Sequence, residues 1–167
     1  RHVYNIAIDT FGKHRKAEKA REIFKKMRSE GIEPDVITWN SLIECHFRAG
    51  ETNMALQLFS TMKEEGCKPS SHSYNILIYW LGCLKCWDEL KGILEDMKGT
   101  GIVPNAVTYT TLVDVYGQSG RFQDAFECLE MMRTHSSKPE ASVYCALANA
   151  YARQVRDFST AYVYNDV

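Results

Sequence analysis

Residues 32–43 read IEPDVITWNSLI. A proline and an acid precede three β-branched residues and a tryptophan. An asparagine then sits where an apolar helix face is getting under way, although its amide competes for nearby backbone groups and makes it a mediocre helix former. Pro34 opens the reading of this stretch. The chain has four prolines, Pro34, Pro69, Pro104 and Pro139, each 35 residues after the one before. The aromatics Tyr4, Trp39, Tyr74, Tyr109 and Tyr144 keep the same interval, as do Met27, Met62, Met97 and Met132. Gly31, Gly66 and Gly101 follow it, with Ser136 in fourth place, and so do Ala20, Ala55 and Ala125, with Leu90 in the third copy. Agreement across five residue types is an internal repeat.

The units are 1–35, 36–70, 71–105 and 106–140, with a partial or degenerate fifth over 141–167, together a single repeat domain. Each reads as two helices. Tyr109, Leu112, Val113 and Tyr116 have the i, i+3, i+4, i+7 spacing of an amphipathic first helix, which Gln118-Ser119-Gly120 ends. Ala17, Ala20, Ile23, Phe24 and Met27 form the apolar stripe of a second helix. Gly31 lies just past its end, the usual place for a left-handed cap, and Pro34 prevents continuation. One such hairpin cannot bury its apolar face alone, so neighbours must stack. The predicted fold is all-α: a right-handed α-solenoid of stacked helix-turn-helix hairpins. No polar capping helix is evident at either end, so the ends are expected to be sticky and to allow a homodimer. The fifth unit opens well, as ASVYCALANAYAR, then drifts, its alanine arriving one position late at Ala161. The opening RHVYNIAID already reads as a structural element, so the chain is expected to be a piece of a longer protein.

The 167 residues are 45% hydrophobic and 25% charged, ordinary for one folded domain, and no apolar run approaches the ~18 residues of a membrane span. The net charge of −1 counts against indiscriminate binding to polyanions while leaving room for a local groove. Six irregularly spaced cysteines are expected to be reduced thiols. Cys83-Leu-Lys-Cys86 lacks the further ligands of a zinc site and the βαβ setting of a redox motif, and reads as two small residues in a turn between helices. No metal or cofactor is expected. Polar residues recur at 35-residue intervals, whereas a catalytic site converges several in one pocket. His14, His46 and His135 hold different repeat positions, and His46 lies on an apolar helix face as a core residue. An enzyme is therefore not expected.

The run from VITWNSLI through ALQLF, a methionine and a glycine to the next proline resembles the pentatricopeptide repeat family, in the branch with uniform 35-residue repeats. The resemblance covers residues 1–154. It implies sequence-specific binding of single-stranded RNA, one base per repeat, in a plant organelle, chloroplast or mitochondrion. It also implies that the fifth residue of a repeat reads a base together with the last residue. The pairs would be Asn5 with Asp35, Asn40 with Ser70, Asn75 with Asn105, and Thr110 with Glu140, while Cys145 has no visible mate. Second-position residues would sandwich bases: His2, Ile37, His72 and Val107, with Ser142 in the partial unit. Thirteenth-position cations would meet phosphates: Lys13, Arg48 and Arg153 fit, while Cys83 and Gln118 do not.

The residues support the pairs on their own terms. The fifth position is Asn, Asn, Asn and Thr beside a core aromatic, and the last is Asp, Ser, Asn and Glu. Both are expected to face a surface at the join between units. Helix capping explains the last position well but the fifth poorly. For Ile37 and Val107 the alternative is core packing; for the cations it is a solvated surface. An amide carries both a donor and an acceptor. Asp35 would accept from the Asn5 NH₂ and leave the carbonyl for uracil N3–H. Ser70 orients its partner less, and the family pattern for Asn with Ser is cytosine. Asn with Asn is ambiguous between pyrimidines. Thr110 leaves room for a purine, and Glu140 departs from the usual partners. The predicted core is 5′-U-C-(C/U)-purine-3′. The rival reading is a protein-binding α-solenoid scaffold.

Overall fold

A computed structural model describes residues 1–135 and 141–165, and the side chains of 1–134, 141 and 143–155. Every described element is an α-helix. They are α1 (His2–Lys13), α2 (Ala17–Ser29), α3 (Val36–Arg48), α4 (Thr52–Glu64), α5 (Ser71–Cys83), α6 (Trp87–Gly99), α7 (Ala106–Gln118), α8 (Phe122–His135) and α9 (Ala141–Asn165). The chain divides into two compact units, Arg1–Ile76 and Leu77–Val167. In the first, α1 packs on α2 and on α3, and α3 packs on α4. In the second, α7 packs on α8 and on α9. No helix among the described residues is long and apolar enough to cross a membrane.

The residues that mark the repeat are the core. Ala20, Ala55, Leu90 and Ala125 are fully buried, and so are Met27, Met62 and Met97, with Met132 close behind. The repeat aromatics Trp39, Tyr74 and Tyr109 are buried too. Each of the first two meets an aromatic of the preceding hairpin edge-on. Phe24 and Trp39 have ring centroids 5.0 Å apart, and Phe59 and Tyr74 are 5.4 Å apart. This edge-to-face geometry brings the positive rim of one ring to the negative face of the other. Small residues let first helices approach. A Cβ on Gly12 would lie 3.1 Å from Cys45 Cβ, and one on Gly82 would lie 2.6 Å from Val115 Cβ. His46 is fully buried with Nδ1 2.6 Å from Glu51, a core residue as its place in the sequence suggests. Burial pushes the Cys45 thiol up to about 11 and that of Cys128 up to about 12, so neither is a reactive thiolate at neutral pH.

Both turns of the hairpin are closed by the same device. After the second helix, the Ile32 N–H returns to the Met27 carbonyl and the Gly31 N–H to that of Arg28, and this recurs at Cys67 and Ile102. Between the helices, the Lys16 N–H returns to Phe11 and the Arg15 N–H to Gly12, again with counterparts in every hairpin. The corner residue must be left-handed. Gly50 and Gly120 serve at φ 83° and 74°, but Arg15 and Lys85 are forced to 55° and 59°. A non-glycine residue pays about 1–2 kcal/mol there. Arg15→Gly and Lys85→Gly should therefore each stabilise their unit by about 1 kcal/mol in urea titrations, net of glycine's extra chain entropy.

The fifth unit departs from the hairpin pattern. The corner position falls on Val155, whose β-branched side chain tolerates positive φ poorly. Helix α9 accordingly runs straight through it to Asn165. Cys83 ends α5 and Cys86 precedes α6, so the Cys-x-x-Cys pair does lie in an inter-helix turn.

Candidate nucleic-acid interface

The last residue of each of the first three units caps the first helix of the next. Asp35 Oδ1 accepts the Thr38 N–H at 2.9 Å, while the Asp35 N–H returns to Thr38 Oγ1 at 3.2 Å. Asn105 and Thr108 repeat this reciprocal box at 3.0 and 3.2 Å, and Ser70 and Ser73 at 3.3 and 3.0 Å. Capping is thus a real role of these positions.

At the first join, capping and the predicted reader are one network. Asn5 Nδ2 donates to Asp35 Oδ1 at 3.4 Å, across 30 residues of sequence. Thr38 Oγ1 lies 2.7 Å from Asn5 Oδ1 and 2.8 Å from Asp35 Oδ1. Arg1 stands 3.7 Å from the other Asp35 oxygen. Partial burial pushes the Asp35 carboxyl up. The bonds from the Thr38 backbone, the Thr38 hydroxyl and the Asn5 amide, with the Arg1 charge, outweigh it and hold the pKa below the usual carboxylate value. A depressed pKa contributes stability above the unfolded value of about 3.9, and that contribution is lost as pH falls through the folded value. Asp35→Asn keeps a capping acceptor without the titration. It should flatten the loss of stability of the first unit as pH falls below about 4, read by thermal melts.

The other predicted pairs differ. Asn40 is 7% exposed, not turned outward as the sequence suggested. Its Oδ1 is buried without a partner, and no hydrogen bond joins it to Ser70, whose hydroxyl lies 3.2 Å from that of Ser73. Asn75 is half-buried in α5, and Asn105, in the second unit, is an exposed cap of α7. Thr110 is exposed and its hydroxyl donates to its own helix at Ala106 O, 2.8 Å away. Glu140 lies outside the described residues.

The second-position residues of the four full units are exposed: His2 and His72, with Ile37 at 63% and Val107 at 61%; the side chain of Ser142 lies outside those described. Core packing is therefore not their role. Two of the thirteenth-position cations are paired one helical turn back, Lys13 with Asp9 at 2.6 Å and Arg48 with Glu44 at 2.7 Å, while Arg153 is exposed on α9. Gln118 bonds Asp114 in the same register at 2.8 Å. Sequence reasoning passed over these acids, and over Thr38, Ser73 and Thr108, although a hydroxyl recurs at that position at the repeat interval.

Comparison with family models places PPR repeats over residues 2–45, 34–83, 72–102 and 100–133. The chain belongs to the pentatricopeptide repeat family. A pentatricopeptide repeat-containing protein of Arabidopsis thaliana is 37% identical over 49 residues, which is 29% of this chain and 8% of that protein. A second, putative by its own description, is 41% identical over 54 residues, 32% of this chain and 16% of that protein. Among solved structures, the pentatricopeptide repeat protein PPR10 in complex with an 18-nucleotide psaJ RNA element is 30% identical. It matches 91% of this chain and 22% of its own at a TM-score of 0.82. PPR10 from maize matches 98% of this chain and 23% of its own at 29% identity and a TM-score of 0.78. The chain thus spans about a fifth of the length of that protein. The fold is an all-helical solenoid of sequential hairpin pairs, and the repeats of this family are non-enzymatic.

Proposed function

We propose that this chain binds single-stranded RNA sequence-specifically, one base per hairpin. Asn5 with Asp35, Asn40 with Ser70, Asn75 with Asn105, and Thr110 with Glu140 would be the readers, and 5′-U-C-(C/U)-purine-3′ the preferred core. The observation that carries the reading is the contact between Asn5 and Asp35, 30 residues apart, at the join of two hairpins. Polar residue types recur at both positions in all four repeats, and capping explains only the last of the two. Beside it, Ile37 offers an exposed apolar face, as Val107 does in the second unit, suited to contact with base planes. The carbonyl of Asn5 keeps one lone pair after Thr38 has taken the other, and that lone pair suits uracil N3–H.

Because Lys13 and Arg48 already hold carboxylates, the phosphate contribution is small. Salt dependence should amount to about one to three ion equivalents. At about 1–3 kcal/mol per stacked base, less the ordering of a flexible strand, the affinity for a short RNA is micromolar. The test is a titration of labelled RNA containing UCC-purine against its scrambled sequence. Tighter binding of the first supports the reading; equal binding overturns it and favours the protein-binding scaffold.

Two further parts belong to this proposal. The curated relatives come from Arabidopsis thaliana, and the reading places this chain in a plant chloroplast or mitochondrion, in RNA processing, stability, splicing or translation. Val3 and Ile6 on α1, and Tyr144 and Tyr151 on α9, are exposed apolar residues suited to stacking against another hairpin, including one from a second copy. Sedimentation velocity across concentration reads that self-association.

A further inference from the structure

An asparagine amide can present either of two faces to a base, because rotation by half a turn exchanges its donor and its acceptor. Reading uracil rather than cytosine requires that one of the two be held. Asp35 alone does this weakly, since its bond to Asn5 is long at 3.4 Å. The shorter contact comes from Thr38, a residue outside the predicted reading set, whose hydroxyl lies 2.7 Å from Asn5 Oδ1. That hydroxyl has one hydrogen and two acceptors in reach. Asp35 Oδ1 already receives the Thr38 and Asn5 N–H groups, whereas Asn5 Oδ1 has the hydroxyl alone. The hydrogen is shared between the two acceptors, and Asn5 Oδ1 is the nearer, at 2.7 against 2.8 Å. Thr38 is fully buried, so water does not compete for it.

The chain contains its own contrast. At the next join the hydroxyl belongs to Ser73, which lies 3.2 Å from Ser70 Oγ. Asn40 Oδ1 is left buried with no partner, so no hydrogen bond to that oxygen fixes which way its amide faces. The same residue type at the same repeat position is tied in one unit and untied in the following one.

We infer that Thr38 is a specificity-positioning residue. Its hydroxyl fixes the orientation of the Asn5 amide, so that the first hairpin discriminates uracil from cytosine more sharply than the second discriminates between the same bases. The inference rests on the RNA-binding reading.

The test compares the full chain with Thr38→Val, which keeps the shape and removes the hydroxyl, and with Thr38→Ser, which restores it. Thr38→Ala is the second hydroxyl-free variant should valine disturb the fold, and far-UV circular dichroism selects whichever folds. Short RNAs carrying U or C at the first position, and separately at the second, are titrated against each protein. Removing the hydroxyl should lower the U-over-C ratio at the first position about tenfold and leave the ratio at the second position unchanged. Serine should recover the first ratio. An unchanged first ratio, or equal weakening toward every RNA, would sink the assignment and make Thr38 a cap only. The wild-type titration separates this from failure of the underlying reading. If the wild-type chain does not distinguish the target from its scramble, RNA reading itself falls. If it does and the valine chain does equally, only Thr38 is wrong.

Discussion

Trp39→Ala should remove about 3–5 kcal/mol from the stability of the unit Arg1–Ile76, the cost of deleting a large buried aromatic. Trp39 is 1% exposed and meets Phe24 edge-on at 5.0 Å. It belongs to the hairpin of α3 and α4, while Phe24 belongs to that of α1 and α2, so the ring is part of the interface between hairpins. In a repeat array an interface term stabilises both neighbours, and its loss is felt by both. Relaxation cannot refill the site cheaply, because Leu42 and Ile43 beside it on α3 are themselves buried and packed. A groove of about 390 Å³ already opens between Arg21, Phe24, Trp39 and Leu58, and loss of the indole would extend it inward. The measurement is urea unfolding followed by far-UV circular dichroism, since the variant lacks this fluorophore. A loss below about 1 kcal/mol would mean that the hairpins are held together chiefly elsewhere. Tyr74→Ala, at the equivalent place against Phe59, should behave similarly.

The core could be read in advance because the repeat interval and the packing interval coincide. Met27, Met62 and Met97 recur every 35 residues in sequence, and all three are fully buried. Periodic residues carry a periodic constraint, and burial is the strongest one. The interface was harder to read because its meaning lies in side-chain direction. Asn5 and Asn40 are the same residue at the same repeat position, yet one is half-buried and hydrogen-bonded while the other is buried with an orphan oxygen. What separates them is which acceptor the neighbouring hydroxyl meets, a carboxylate with an amide at Thr38 or a second hydroxyl at Ser73. Local spacing does not encode that choice. The carboxylates facing Lys13 and Arg48 were visible as i, i+4 pairs, Asp9 and Glu44. They went unread because the cation alone suggested a phosphate. The straight course of α9 was legible in principle at Val155, since a β-branched residue stands where a left-handed corner is needed.

The double change Asn5→Thr with Asp35→Asn should turn the first position from uracil to adenine, inverting the U-over-A ratio by about 100-fold, or ~2.8 kcal/mol. The chain contains both residues at the corresponding positions elsewhere, so the fold should accept them. Asn105 caps α7 through the same bond that Asp35 makes, at 3.0 against 2.9 Å. Thr110 sits in the reading position with its hydroxyl donated to Ala106 O one turn back. A threonine at position 5 would spend its hydrogen in the same way on the carbonyl of Arg1, leaving only lone pairs toward the base. Those suit an exocyclic amino group and repel a carbonyl, which favours adenine over guanine and removes the acceptor geometry that uracil N3–H needs. The shorter side chain also opens space for a purine. Asp35→Asn removes a charge that would repel purine lone pairs, while its amide supplies a donor for adenine N1. Neither substitution alone achieves this: Asn5→Thr leaves the carboxylate facing the base, and Asp35→Asn leaves an amide too long for a purine. The double-mutant cycle should therefore be non-additive, with a coupling of about 1 kcal/mol or more between residues in contact. Competition titrations with RNAs differing only at that base measure it. Additive effects would place the two residues in separate sites and dissolve the pair.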